Sequence, residues 1–352
     1  MYQRWADALF EAPLRGESDA TCLDCAMVLG PDDPKNVYGF NAKTKCCTYL
    51  PELPNWLVGR ALREGSDTHP HGVASLRERI SAGAGVSPMG LFQIPGYRMV
   101  FDNTISGFGR SESLLCPHYV KENGMCGIWS SREATCTTWF CKHDRGMLAK
   151  GFWNRFKQLL GLLEHGLARH CFLALDPDPG MLASLSPFVS SRDHNEGISA
   201  TEIEHGYDPG AYARSWGRWA GREAEFYVEC ARALGEPTLE EALSYAGSDA
   251  RLHARITRES YLDRVRAELP ERVRIAGYQV LGMTADSVRV QSYSFLDPLS
   301  LPQVLVRVLH LFDGRPLDVV LEDIERTAGE PCPPEAVRKL LDYQILTAAA
   351  AP

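Results

Sequence analysis

Four cysteines fall within 26 residues, at Cys116, Cys126, Cys136 and Cys141, in the stretch CPHYVKENGMCGIWSSREATCTTWFC. Two more pairs lie upstream: Cys22 and Cys25 form a CxxC, and Cys46 and Cys47 are adjacent. These are eight of the chain's eleven cysteines, all before residue 142. No apolar run reaches the ~20 residues that span a bilayer. The first twenty residues lack an apolar signal core and carry acids early, so a cytoplasmic setting is expected. Thiols stay reduced there, and clustered cysteines then point to metal ligation or catalysis rather than disulfides. The odd total also fits a disulfide framework poorly.

Thiolates select zinc, copper(I) or iron–sulfur clusters, and both zinc and [4Fe–4S] take four-thiolate sites. Zinc ribbons bring ligands in as two tight knuckles, whereas here only Cys22 and Cys25 form one. The later cysteines are separated by nine, nine and four residues. The side chains of the vicinal Cys46–Cys47 pair diverge, which suits a cluster or two neighbouring centres. The eight cysteines are therefore expected to hold one or two metal centres, with an iron–sulfur cluster ahead of zinc. Trp129, Trp139 and Phe140 would shield the sulfurs from water, and Arg132, Lys142 and Arg145 would offset the cluster's charge. His118 and His143 flank the stretch as ligands or hydrogen-bond donors to sulfur. Cys171, Cys230 and Cys332 stand singly and read as small buried hydrophobes.

Along the chain, helices are expected from near Pro54, over 72–82, and from Met147 onward, where apolar residues recur at 148, 152, 153, 156, 159, 160, 163 and 167. On this last helix Glu164, His165 and His170 read as exposed polar face. The segment FQIPGYRMVF at 92–101 is the best early strand candidate. Residues 176–208 read as a long polar loop, a lid or partner surface, with Glu202 and His205 in it. Asp208 and Pro209 then start a helix expected to run unbroken to Gly235. Thr238 and Glu241 make a capping box, and a further helix covers 249–268. Past Pro270, two strands around TADS and three helices (301–312, 316–328, 334–342) complete the chain. The turn SAGAGVSPMG at 81–90 follows a helix, so it reads as a flexible turn more than a nucleotide loop.

The expected fold class is mainly α (α+β) in three domains. These are an irregular cysteine-cluster domain at 1–146, a helical domain at 147–269, and a winged-helix-like module at 270–352. That module holds eight Lys and Arg against eleven Asp and Glu, and the whole chain has a net charge of −8. Nucleic acid is not an expected partner, and a protein or peptide is.

The pattern Cys116, Cys126, Trp129, Arg132, Cys136, Cys141, with CGIWSSREATC at its centre, resembles the second half of the YkgJ-type cysteine-cluster family of zinc- or iron-chelating proteins. The family pattern there is C, then C-x-I-Y-x-x-R-P-x-x-C-R-x-x-x-C; Ile128, Trp129 and Arg132 occupy matching places. Glu133 stands at the family's proline, and the compact CxxCxxCC is here spread over residues 22–47. The resemblance covers residues 20–145 and implies metal binding. The family includes flagellin lysine N-methylases, so it further implies S-adenosylmethionine-dependent methyl transfer to protein lysines. The alternatives are a scaffold protein with structural zinc and a metal-delivery or electron-transfer protein.

Overall fold

The computed structural model describes the chain except for residues 30–38, 105, 185–198, 208, 267 and 351–352. The fold is mainly α with small antiparallel sheets. Among the described residues no helix is long and apolar enough to cross a membrane. Contacts divide the chain into two units: residues 1–14, 28–139 and 156–255 form the first, and 15–27, 140–155 and 256–352 the second.

The first unit opens with α1 (Tyr2–Phe10), which buries Trp5 and Phe10. The short β1 (Leu53–Pro54) leads into α2 (Asn55–Thr68), and α3 (Pro70–Ala82) follows after a single residue. His69 precedes a proline, which disfavours helical backbone, and it sits at φ −140°, ψ 59°; Pro70 then starts the next helix with its ring already at helical φ. The strands β2 (Val86–Ser87) and β3 (Gly90–Leu91) complete a sheet of order β1-β3-β2.

Residues 95–103 form a helix, α4 (Pro95–Asn103), where a strand was expected. Pro95 sits in its first turn, and Tyr97 and Phe101, one turn apart, stack with centroids 5.7 Å apart. The hairpin β4 (Tyr119–Val120) and β5 (Met125–Cys126) precedes the short α5 (Ala134–Thr138). The long α6 (Gly146–Ala174) has residues 146–155 in the second unit and 156–174 in the first; of the residues its spacing marks, Phe152, Trp153, Phe156, Leu159, Leu160, Leu163 and Leu167 are buried, while Leu148 is 40% exposed.

The expected loop at 176–208 contains two short helices, α7 (Pro179–Ser184) and α8 (Ala200–His205); its centre and Asp208 lie outside the described residues. The helix expected from 209 to 235 is interrupted. α9 (Pro209–Trp216) ends in a 3-10 turn, and α10 (Glu223–Leu234) begins afresh. Gly217 at φ 46° and Gly221 at φ 79° take left-handed backbone that a continuing helix excludes. α10 packs on α2 so closely that a Cβ on Gly59 would lie 1.8 Å from the Tyr227 carbonyl oxygen. α11 (Leu239–Ala246) starts in the expected Thr238–Glu241 capping box, and α12 (Ser248–Val265) follows.

The second unit carries β6 (Arg272–Ile275), β7 (Gln279–Met283), β8 (Ser287–Gln291) and β9 (Leu299–Pro302). After them come α13 (Gln303–Val308), β10 (Asp313–Pro316), α14 (Leu317–Ala328), α15 (Pro334–Asp342) and β11 (Leu346–Ala348). The sheets run β10-β6-β11 and β7-β8-β9. Val273, Val290, Phe312, Val320, Val337, Leu340 and Ile345 fill the core between strands and helices. Two ionic networks brace this unit. Glu17 accepts from the Asp144 N–H at 2.5 Å, from Trp153 Nε1 and from Arg264 at 2.9 Å. Arg145 forks onto Asp342 at 2.5 and 3.0 Å.

Candidate metal centre

The loop carrying Cys46 and Cys47 is a compact turn built on Asn41, whose carbonyl accepts from Thr44 N and Lys45 N at 3.0 and 2.8 Å. It is stitched to the segment leading into Cys116. Asn41 N donates to Gly109 O at 2.8 Å, Gly109 N donates to Thr48 Oγ1 at 2.7 Å, and Cys116 N donates to Cys47 O at 2.8 Å. Cys126 lies opposite Tyr119 in the β4–β5 hairpin, and the next residue, Gly127, donates its N–H to His118 O at 2.7 Å. Cys136 rides on the first turn of α5.

Two buried carboxylates cap that turn. Glu133 accepts from Thr135 N and, at 2.8 Å, from Cys136 N, while Glu164 on α6 accepts from Ala134 N at 2.7 Å and from the Tyr2 hydroxyl. Three N–H groups that a helix start leaves unpaired are thereby satisfied. Glu164 therefore belongs to the buried face of α6, not to the exposed polar face expected of it. Burial, then repulsion from Glu133, raises its carboxyl well above the ordinary range.

The five thiols of the first unit act on one another. Cys46 is raised first by a hydrogen bond with Cys47 and then by burial. Burial pushes Cys116 up to about 12, with the charges of Cys126 and Cys46 adding and Arg79 opposing. Cys136 is raised by burial, by the charge of Glu133 and a hydrogen bond to it, and then by Cys116 and Cys126. Two guanidinium groups act on these thiols. Arg79 is anchored by Pro51 O and Phe92 O at 3.0 and 2.8 Å, and desolvation lowers it to about 10. Arg132 stacks over Trp129 at 3.6 Å, donates to Cys136 O at 3.1 Å and favours the Cys46 thiolate.

His118 is fully buried. Its Nδ1 lies 2.8 Å from Ser75 Oγ, its Nε2 has no hydrogen-bond partner, and desolvation lowers its pKa to about 3.

The eight cysteines divide five and three. Cys46, Cys47, Cys116, Cys126 and Cys136 belong to the first unit, and Cys22, Cys25 and Cys141 to the second. All stand as thiols. Among the described residues, no group of three or more His, Cys, Asp or Glu side chains is placed to hold a metal ion. Trp129 and Trp139 are 41% and 42% exposed, and Trp139 meets Phe108 edge-on at 5.2 Å. In the second unit Lys142 donates to Leu296 O at 2.5 Å, and the His143 N–H donates to Asp297 at 3.1 Å. Cys171, Cys230 and Cys332 are buried as expected. Glu202 sits on α8, not in a loop, and its carboxylate closes a capping box with Ser199. The turn at 81–90 links α3 to β2 and β3.

Glu133, Glu164, Arg79 and Ser75 were not expected to serve the site. Glu133 had a signal, since an acid directly before ATC suits a helix N-cap. Glu164 had one too: it shares a helical face with the buried Leu160 and Leu167.

The first unit also holds an open cleft of about 990 Å³, lined by Arg77, Ser81, Tyr207, Tyr212, Arg222 and Glu223 among others, with Tyr207 stacked on Tyr212 at 4.4 Å. Compared with family models, with curated proteins and with solved structures, the chain matches none.

Proposed function

We propose that Cys46, Cys47, Cys116, Cys126 and Cys136 form a soft-metal centre, with an iron–sulfur cluster as its occupant. The observation that carries this reading is the stitching of cysteine-bearing segments to one another: Cys116 N–H donates to Cys47 O at 2.8 Å, and Tyr119, three residues on, pairs with Cys126 across the hairpin. The donor chemistry fits: sulfur donors select soft cations, and Arg79 and Arg132 offset the negative charge that deprotonated thiols would bring. Such a group, when bound, would supply redox or Lewis-acid chemistry. The chain's own contribution is to hold the sulfurs: the Asn41 turn positions Cys46 and Cys47, and the Glu133–Glu164 cap positions Cys136. Cys22, Cys25 and Cys141, which belong to the second unit, would serve a second centre.

The activity we propose is modification of a protein or peptide side chain, with methyl transfer from S-adenosylmethionine as the version that the family resemblance implies. The cleft lined by Arg77, Arg222 and Glu223 suits a polypeptide, because both signs of charge face it. Iron and acid-labile sulfide analysis of anaerobically purified protein tests the metal, and labelled-methyl transfer to candidate proteins tests the reaction. Stoichiometric zinc without sulfide would favour the competing reading, a structural site. The burial of Cys116, at 9% exposure, speaks for that alternative.

A further inference from the structure

We infer that the cleft of the first unit takes a polypeptide segment carrying both a basic and an acidic side chain, the first meeting Glu223 and the second Arg77. This inference rests on the polypeptide reading of that cleft above. The cleft is braced before any ligand enters. Tyr207 and Tyr212, stacked at 4.4 Å, both line it. The Tyr207 hydroxyl donates to Gly83 O at the end of α3, and the Tyr212 hydroxyl donates to Glu223 at the start of α10 over 3.1 Å. Gly85 N donates to His205 O at 2.8 Å beside them. The helices that carry Arg77 and Glu223 are thereby tied through one tyrosine pair, so binding has little ordering left to bring about.

Six charged side chains line the cleft, three of each sign. Four of them are matched along α10: Arg222 forks onto Glu225 at 2.8 and 2.5 Å, and Arg232 pairs with Glu229. The two that remain, Arg77 and Glu223, are of opposite sign. Arg77 is exposed on α3 and has no hydrogen bond or ion pair among the described residues. Glu223 has neutral partners only, the Tyr212 hydroxyl and, at 2.9 Å, the Gly221 N–H, and both meet the same oxygen, Oε1. Among the described residues its Oε2 has no partner. Two donors on one carboxylate oxygen orient the group and fill that oxygen's lone pairs, so an incoming cation meets Oε2. An ammonium or guanidinium adds a charge-assisted hydrogen bond there without breaking an ion pair, whereas at Glu225 or Glu229 it would displace an arginine. A ligand carboxylate meets Arg77 for the same reason, since Arg222 and Arg232 are already paired. A segment with charge of one sign only would face an unmatched side chain of its own sign.

The test uses the full chain and a library of short peptides with blocked termini, so that only side chains are charged. Peptides retained by the wild type are expected to carry both a basic and an acidic residue. Replacing the basic residue of a retained peptide by glutamine should weaken binding about 5–10-fold, between the contributions of an exposed ion pair and of a charged hydrogen bond. The same replacement should change nothing against Glu223→Gln, a variant that keeps the acceptor for Tyr212 and Gly221. Replacing the acidic residue should likewise weaken binding to the wild type and change nothing against Arg77→Met. Retained peptides with no charge preference, or penalties that persist in Glu223→Gln and Arg77→Met, overturn this proposal alone. A wild-type chain that retains no peptide overturns it together with the polypeptide reading.

Discussion

The backbone N–H of Cys116 donates to the carbonyl oxygen of Cys47 over 2.8 Å, joining two cysteine-bearing loops that are far apart in sequence. The bond needs no side chain, so the loops stay in register when either sulfur is altered. Serine at position 47 or 116 should therefore leave the unfolding transition of the metal-free chain near its wild-type midpoint while weakening metal uptake. Denaturant melts of the stripped chain check the first half and a metal titration the second.

Gly72 on α3 lies against Gly127, the residue after Cys126. A Cβ there would lie 1.9 Å from the Gly127 carbonyl oxygen. Alanine in a helix interior gains up to about 1 kcal/mol over glycine, but forcing backbone apart costs about 1–3 kcal/mol or more. The clash wins. Gly72→Ala is expected to destabilise the chain by about 2 kcal/mol and to weaken metal binding as well, measured by urea unfolding and metal titration. A stabilised Gly72→Ala would show that the helix and hairpin do not meet this way.

Glu164 sets a pH dependence whose sign follows from its raised carboxyl. The folded chain holds the proton to higher pH than the unfolded chain does. Its stability is therefore intact below the ordinary value of 4.5 and declines as pH rises from there toward the folded value. Glu164→Gln keeps an acceptor for Tyr2 and Ala134 and never ionises. Its stability relative to wild type should grow between pH 5 and pH 8. Glu164→Ala leaves both donors unpaired and should cost about 1–3 kcal/mol. Urea midpoints across that pH range separate the two.

Periodic segments were legible in the sequence: α6, α14 and α15 repeat their apolar residues every three or four positions, and burial follows. α4 was not legible, because Ile94, Tyr97, Val100 and Phe101 are strand formers by composition, and only the first-turn Pro95 marks a helix. The break between α9 and α10 was hidden for a related reason. Gly217 and Gly221 are tolerated within a helix, and nothing local announces their positive φ. The cysteines could be named from spacing, but their division into five and three depends on contacts distant in sequence, such as Cys47 with Cys116. Glu164 was missed because an acid among leucines reads as surface until its partners, Tyr2 and Ala134, are known.

The fork of Arg145 on Asp342, whose side chain is 2% exposed, should carry weight that surface pairs do not. Asp342→Ala leaves Arg145 with its bonds to the Arg264 and Arg266 carbonyls and is expected to cost about 1–3 kcal/mol. Arg222→Ala, which breaks an exposed pair with Glu225, should leave the midpoint unchanged. Thermal or urea unfolding of both variants checks the contrast.

Joint binding of a soft metal by the thiols of the first unit is open to direct measurement. Iron, zinc and sulfide should be quantified in anaerobically purified wild type beside Cys46→Ser, Cys126→Ser, Cys136→Ser, Cys171→Ala and Cys230→Ala. Iron with sulfide is expected in the wild type, with loss of both in the first three variants and full retention in the last two. Wild-type protein with no bound metal, or a metal content that Cys46→Ser, Cys126→Ser and Cys136→Ser leave untouched, would contradict joint metal binding by these thiols.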